Sequence, residues 1–254
     1  MKSLGIDIGT TTISAAVIDA VTGAVITTRT VSNDSFIETA SLWEKIQDPD
    51  MICKKVFRLA DGFLDEYEDI GTIGLTGQMH GIVYVDRVGE CTGPLYTWQD
   101  ERGDQSCFGG RSICEILRED CGVRAYPGCG LVTHLYNKKR GEIPEGAVTF
   151  CTIMDYIGMK MTGRKCPLVH SSNAASLGLF DVKKRKFREE LLREAGIESA
   201  FLPEVTDEFR CLGRYRGRTV GVAIGDNQAS FLGAAEDTER TILLNMGTGG
   251  QVSV

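Results

Sequence analysis

The stretch that most limits what this chain can become is its start, Leu4-Gly5-Ile6-Asp7-Ile8-Gly9-Thr10-Thr11-Thr12-Ile13-Ser14-Ala15-Ala16-Val17-Ile18-Asp19. Ile6 and Ile8 alternate with Asp7, and Ala16-Val17-Ile18 is a second apolar β run, so the segment reads as strand, tight turn, strand. Gly9 lets the backbone turn sharply and lie close to a ligand. Thr10, Thr11 and Thr12 set hydroxyls beside the free N–H groups of the turn, a combination suited to phosphate oxygens. Asp7 points into the same space, where a carboxylate holds a metal ion through water. An ordinary hairpin with a polar turn is the plain alternative, and a short Gly-Thr match alone does not decide between them. The spacing lacks the Gly-Lys-Ser/Thr of a P-loop and the three glycines of a dinucleotide fingerprint, so neither of those sites is supported.

Beyond the hairpin, Gly23 marks a turn and Ala24 to Val31 alternates as a third strand, giving an antiparallel meander. Apolar residues at Ile52, Val56, Leu59, Phe63 and Leu64 fall at helical spacing between Pro49 and Tyr67. Ile70 to Leu75 is a short buried strand ending at Thr76-Gly77-Gln78-Met79-His80-Gly81, and Ile82 to Val85 is the strand that leaves that loop. Further along come a predicted helix over 104–120, a short helix from Thr133 to Arg140, a strand from Ala147 to Thr152 and a helix opened by Asp155-Tyr156. Residues 170–176 read as a polar loop and 186–195 as a helix. Thr219 to Ile224 is an apolar strand that stops at Gly225-Asp226-Asn227-Gln228-Ala229, where a helix begins. The polar run Glu236 to Arg240 resembles a hinge, followed by a strand from Thr241 that ends in Met246-Gly247-Thr248-Gly249-Gly250. Strands and helices alternate, which is the pattern of an α/β layered fold. Polar and glycine motifs recur at strand ends, where such folds place ligands.

At 254 residues, with 42% hydrophobic and 25% charged positions, the chain has room for one large domain or two smaller ones around a buried core. A net charge of −7 argues against a nucleic-acid partner. No apolar run approaches the ~20 residues that span a bilayer, and no signal-peptide pattern opens the chain, so no membrane is involved and a cytoplasmic location is expected. The nine cysteines are odd in number and form no Cys-x-x-Cys pair, so they read as free thiols rather than as a zinc site or disulfide framework.

Five segments together resemble the FGGY carbohydrate kinases of the actin and hexokinase superfamily. They are Gly5-Ile6-Asp7-Ile8-Gly9-Thr10-Thr11, Thr76-Gly77-Gln78-Met79-His80-Gly81, Thr97-Trp98-Gln99-Asp100, Gly225-Asp226-Asn227-Gln228-Ala229 and Met246-Gly247-Thr248-Gly249-Gly250. They come in family order along the whole chain. Asn173-Ala174-Ala175-Ser176 and the approach to Asp226 look like the sedoheptulokinase branch, and the Gly-Gln-Met-His-Gly loop is also similar to xylulokinases. Glycerol kinases carry Arg-Glu where this chain has Met79-His80, which makes glycerol a weaker expectation. The resemblance implies an actin/hexokinase-like (ribonuclease H-like) fold with a mixed central sheet flanked by helices. It also implies a division into 1–236, the N-terminal sugar-kinase domain, and 237–254, a hinge with the first strands of a truncated C-terminal domain. The adenosine-binding segment of such proteins lies outside this chain, so efficient turnover by these residues alone is not expected.

What the resemblance implies for chemistry is phosphoryl transfer from ATP, with Mg²⁺, to a hydroxyl of a ketose or related sugar. That reaction needs a base for the hydroxyl proton, donors for the phosphates and alignment of the two substrates. Asp226 takes the place of the family's catalytic base; taken alone it also reads as a helix N-cap. Asp7, with Asp226 sharing the ion, would hold Mg²⁺ through water. Gly9, Thr10, Thr11 and Thr12 would contact the phosphates from one side of a cleft and Gly247, Thr248 and Gly249 from the other. Gln78, Met79 and His80 would meet the sugar, Trp98 would form an apolar wall, and Asp100 and Asn227 would be further hydroxyl partners. His134, His170 and Asp155 are read as structural. A different reading, an actin-like ATPase that activates a partner protein, shares the opening Asp-x-Gly-Thr-Thr. The Gly-Gln-Met-His-Gly loop and Trp98-Gln99-Asp100 favour the kinase. A sugar-binding pseudo-kinase sits poorly with the presence of both Asp7 and Asp226. The small-molecule sugar is the expected partner; a homodimer is compatible with the sequence and not fixed by it.

Overall fold

The computed structural model describes residues 1–235, 237–246 and 250–253. Its frame is a six-stranded mixed sheet. β1 (Lys2–Ile8), β2 (Thr12–Asp19) and β3 (Val25–Ser32) form the expected antiparallel meander, with Ile8 opposite Ile13 across the first turn. On the other side of β1 lies the strand Ile70–Gly77, parallel to it, then Arg218–Gly221, also parallel, and finally Cys211–Tyr215, antiparallel. The three parallel strands therefore end at one edge of the sheet. The turn after Ile8, the loop after Gly77 and the loop after Gly221 all emerge there.

The two faces of the sheet differ because alternate residues of β1 and β2 differ. Leu4, Ile6, Ile8, Ile13 and Val17 are buried on one face. Helix α1 (Pro49–Glu66) covers them with Ile52, Val56, Leu59 and Phe63, and full burial of each such side chain contributes roughly 1.5–3 kcal/mol. The start of α1 is specified locally: Asp48 accepts from the amides of Asp50 and Met51 at 2.8 and 3.0 Å, and Pro49 occupies the first turn, where no amide is needed. Helix α4 (Ile153–Thr162) packs on the same side, and a Cβ on its Gly158 would come within 2.7 Å of Leu212 Cδ1. The opposite face carries Gly5, Asp7, Ala16, Thr30, Gly74 and Thr76, which line an open depression of about 660 Å³ that α7 (Asp226–Ala234) borders through Ala229.

Several elements differ from the sequence expectation. The helix expected over 104–120 is confined to α2 (Ile113–Cys121), because Gly109 and Gly110 both take positive φ and Ser112 then opens the helix through a reciprocal cap with Glu115. The α3 helix spans Gly130–Arg140. Residues expected as a polar loop form α5 (Ser171–Ser176), whose Ser172 and Ser176 hydroxyls accept from the Gly225 and His80 amides. The helix expected over 186–195 splits into a two-residue strand, Lys186–Phe187, and α6 (Glu189–Glu194). Strands Leu243–Met246 and Gly250–Ser253 pair as an antiparallel hairpin. Glu236, within the expected hinge, and Gly247, Thr248 and Gly249 lie outside the described residues.

Candidate active site

The turn after β1 is held by its carbonyls. Asn33 Nδ2 donates to Gly9 O at 2.8 Å, Gln47 Nε2 donates to Thr10 O at 2.8 Å, and the Asn33 amide donates to Thr11 O at 2.8 Å. In a trans peptide the C=O and the following N–H point in opposite directions. Anchoring these carbonyls to the buried Asn33 and Gln47 therefore turns the amides of Thr10, Thr11 and Thr12 outward, where an anion can meet them. Gly9 is required by space: a Cβ there would lie 2.8 Å from Thr12 O.

The loop after Gly77 presents three residues with three fates. Gln78 is buried and bonded through its side chain to Thr10 and Gln47. Met79 is buried, and its Cε and Sδ would be 2.7 Å from any Cβ on Gly225, so it packs beneath the loop that carries Asp226. His80 stands at φ 71°, in the left-handed region. It is fixed there by Ser176, whose Oγ accepts from the His80 amide at 3.0 Å and whose carbonyl lies 2.8 Å from His80 Nδ1. Such a backbone cost, of order 1–3 kcal/mol, persists where the surroundings over-determine it.

Asp226 is the first residue of α7, reached from the third parallel strand, and the preceding Gly225 amide donates to Ser172 Oγ at 3.1 Å. Burial raises the Asp226 carboxyl above its ordinary value, while the Asn227 amide and the neighbouring His80 hold it down. Burial also raises Asp7, and the charge on Asp226 raises it further, so two residues from opposite ends of the chain face one cleft. Asn227 sits half-buried beside Asp226.

Trp98 lies 48% exposed with its Nε1 donating to Thr10 Oγ1 at 3.0 Å, which places an aromatic face at the mouth of the site. Asp100 is not available in the same way. It is fully buried, and its oxygens accept from the Lys45 amide (3.0 Å) and from the Arg102 amide, Nε and Nη2 (3.1, 2.6 and 3.1 Å). The Arg two residues away consumes its acceptor capacity, and that guanidinium in turn stacks 4.2 Å from the Tyr96 ring centre. Asp100 thus serves the framework behind Trp98 and presents no free oxygen to a sugar.

Among the described residues no group of three or more His, Cys, Asp or Glu is arranged to hold a metal. The Asp7–Asp226 pair is a different kind of donor set: two hard oxygen ligands, partly desolvated and mutually repelling. A Mg²⁺ ion that keeps most of its waters and touches one or two carboxylates suits it. Gly247, Thr248 and Gly249 lie outside the described residues; Met246 and Gly250 on either side of them pair antiparallel. Asn33, Gln47, Ser172 and Ser176 join the site through contacts that no sequence motif announces. They are single polar residues whose partners are distant in sequence, so no spacing marks them.

Comparison with known proteins matches the chain, over residues 3–243, to the N-terminal domain model of the FGGY family of carbohydrate kinases. Human sedoheptulokinase is 28% identical across 99% of this chain and 58% of its own length. The xylulose kinase of Lactococcus lactis is 28% identical across 98% of this chain and 52% of its own. Among solved structures, xylulose kinase from Rhodospirillum rubrum superposes with a TM-score of 0.82 at 20% identity, covering 99% of this chain and 54% of that one. The chain thus spans about half the length of the relatives it matches.

Proposed function

This chain belongs to the FGGY family of carbohydrate kinases, and from that premise we propose that it supplies the sugar-binding and catalytic half of an ATP-dependent ketose kinase. A sedoheptulose- or xylulose-like substrate is the reading that its relatives' names support. The observation that carries the proposal is the convergence of Asp7, Asp226, His80 and the amide-lined turn at one sheet edge.

Asp226 accepts the proton of the attacking sugar hydroxyl. Its raised pKa brings it nearer the pH of the reaction, which suits a general base. His80, set by Ser176, orients the sugar through a hydroxyl, and Trp98 supports the sugar's carbon face. The outward amides of Thr10 to Thr12 receive phosphate oxygens, and Gly247-Thr248-Gly249 is the second phosphate contact. Mg²⁺, held by Asp7 and Asp226 through water, supplies charge neutralisation of the phosphates when bound. In this reading residues 1–236 form the N-terminal kinase domain and 237–254 lead into a second, and the protein works in the cytoplasm. Among the described residues no helix is long and apolar enough to cross a membrane.

The actin-like ATPase alternative is not favoured, since the matched family is one of carbohydrate kinases. The test is ADP release by the kinase-competent protein carrying this chain, across a panel of ketoses and polyols, with and without Asp226→Asn. Turnover of a ketose that Asp226→Asn abolishes without unfolding the protein is expected. ADP release independent of any sugar, or substantial turnover by the variant, refutes the assignment.

A further inference from the structure

Three side chains, those of Thr10, Gln78 and Gln47, close a circuit on the Thr10 main chain, and Trp98 feeds into it. Trp98 Nε1 donates to Thr10 Oγ1 (3.0 Å), Thr10 Oγ1 to Gln78 Oε1 (3.3 Å), Gln78 Nε2 to Gln47 Oε1 (2.9 Å), and Gln47 Nε2 returns to Thr10 O (2.8 Å). Every donor points the same way round. Gln47 is fully buried and Gln78 is 4% exposed, so neither amide has water as an alternative partner. The circuit joins a half-exposed aromatic ring on the sugar side to the main chain of the phosphate turn.

We infer that Gln47 is a positioning residue that locks the Thr10 peptide for phosphate, while the ring it closes orders the Thr10 hydroxyl that receives the Trp98 N–H. The inference rests on the kinase reading above. Position 47 needs one acceptor and one donor a side chain's width apart, which a neutral amide supplies at every pH. A carboxylate there would accept from Gln78 but confront the Thr10 carbonyl with a lone pair. A released Thr10 peptide would be free to rotate, and the Thr11 amide that leaves on its far side would lose its aim. The Thr10 hydroxyl is engaged in both directions, so Thr10 offers a phosphate its main-chain amide. Trp98 accordingly has two separable duties: its face belongs to the sugar and its N–H to the turn.

The test is steady-state kinetics of Gln47→Glu and Gln47→Met in the kinase-competent protein, with D-xylulose and D-sedoheptulose as acceptors. For Gln47→Glu the expected result at pH 8 is a rise of about tenfold in KM for MgATP with KM for sugar within about twofold, since the bond to the Thr10 carbonyl is lost and a carboxylate opposes that carbonyl instead. The ratio of variant to wild type should recover toward one at pH 5.5, where the buried carboxyl regains a proton and can donate to Thr10 O again. Gln47→Met should show the same split without the pH recovery. Equal rises in both KM values, or a variant-to-wild-type ratio indifferent to pH, overturn the inference. A measurement without turnover separates it from the kinase reading: the ¹H–¹⁵N signal of the Trp98 indole, assigned with Trp98→Phe, should shift in Gln47→Met in this chain. An unmoved indole signal removes the circuit even where turnover stands; a protein that turns over no ketose but shows the shift removes the kinase reading and leaves the circuit.

Discussion

Asp155 offers a test of how the core supports the site, through a stability that depends on pH. Its carboxyl is fully buried, with burial pushing its pKa from 3.8 up to about 7 against the opposing pull of Thr152 and Asn173. Thr152 Oγ1 donates to it at 2.6 Å; Asn173 Nδ2 lies at 3.5 Å and is shared with the Ala223 carbonyl at 3.4 Å. Asn173 Oδ1 has no partner. The folded protein holds the Asp155 proton to about pH 7, whereas the unfolded chain releases it near 3.8. Folding therefore takes up a proton across that window, and stability falls as pH rises through it. A gap of about three pH units corresponds to roughly 4 kcal/mol at most. Asp155→Asn removes the titration and keeps an acceptor for Thr152. Urea unfolding of both proteins between pH 4 and 8 should show near-equal stability at pH 4, a growing advantage for Asp155→Asn up to about pH 7, and a constant difference above it. A difference that does not change with pH would refute the argument that a protonatable carboxyl lies beneath the Asp226 loop.

Three further expectations bear on the site. Ser176→Ala removes the acceptor for the His80 amide, and loss of one such bond, about 1 kcal/mol, should raise the sugar KM several-fold while leaving the MgATP KM unchanged; a shift in the MgATP KM alone would contradict it. Asp100→Ala leaves the Arg102 guanidinium, whose side chain is 4% exposed, with only Asn137 Oδ1 at 2.8 Å and Glu44 Oε1 at 3.6 Å, and should cost about 3 kcal/mol in urea unfolding; an unchanged midpoint with a raised sugar KM would return Asp100 to the substrate. The turnover rate should fall with acidity at a pH above the usual aspartate range, because protonated Asp226 cannot accept the sugar proton and its pKa is raised; a midpoint at the ordinary aspartate value would contradict the burial of the base.

The frame of the molecule is legible from residues 1–85 because its signals are periodic. Leu4, Ile6 and Ile8 alternate as a strand, and Ile52, Val56, Leu59 and Phe63 repeat as a helix, each period matching one buried face. The placement of Asp226 at a strand-to-helix junction is legible for the same reason. What resists reading is whatever depends on one polar side chain meeting a distant one. Asn33 and Gln47 sit in a stretch without periodicity, and their importance lies in carbonyls that only the folded turn presents. Ser172 and Ser176 look like loop residues because Ser is a weak helix former, yet their hydroxyls are spent on the Gly225 and His80 amides. Asp100 illustrates the converse: the residue that satisfies it, Arg102, stands two positions away, but only the fold buries the pair.

A shared metal and phosphate site requires Asp7 and Asp226 to sense each other's charge across one cleft. Carboxyl ¹³C NMR titration of Asp7, in this chain and in its Asp226→Asn variant, measures that directly. The geometry predicts a raised midpoint for Asp7 that drops when the Asp226 charge is removed. A midpoint that stays put in the variant would mean that the two carboxylates do not sense each other, and the shared metal and phosphate site would go with it.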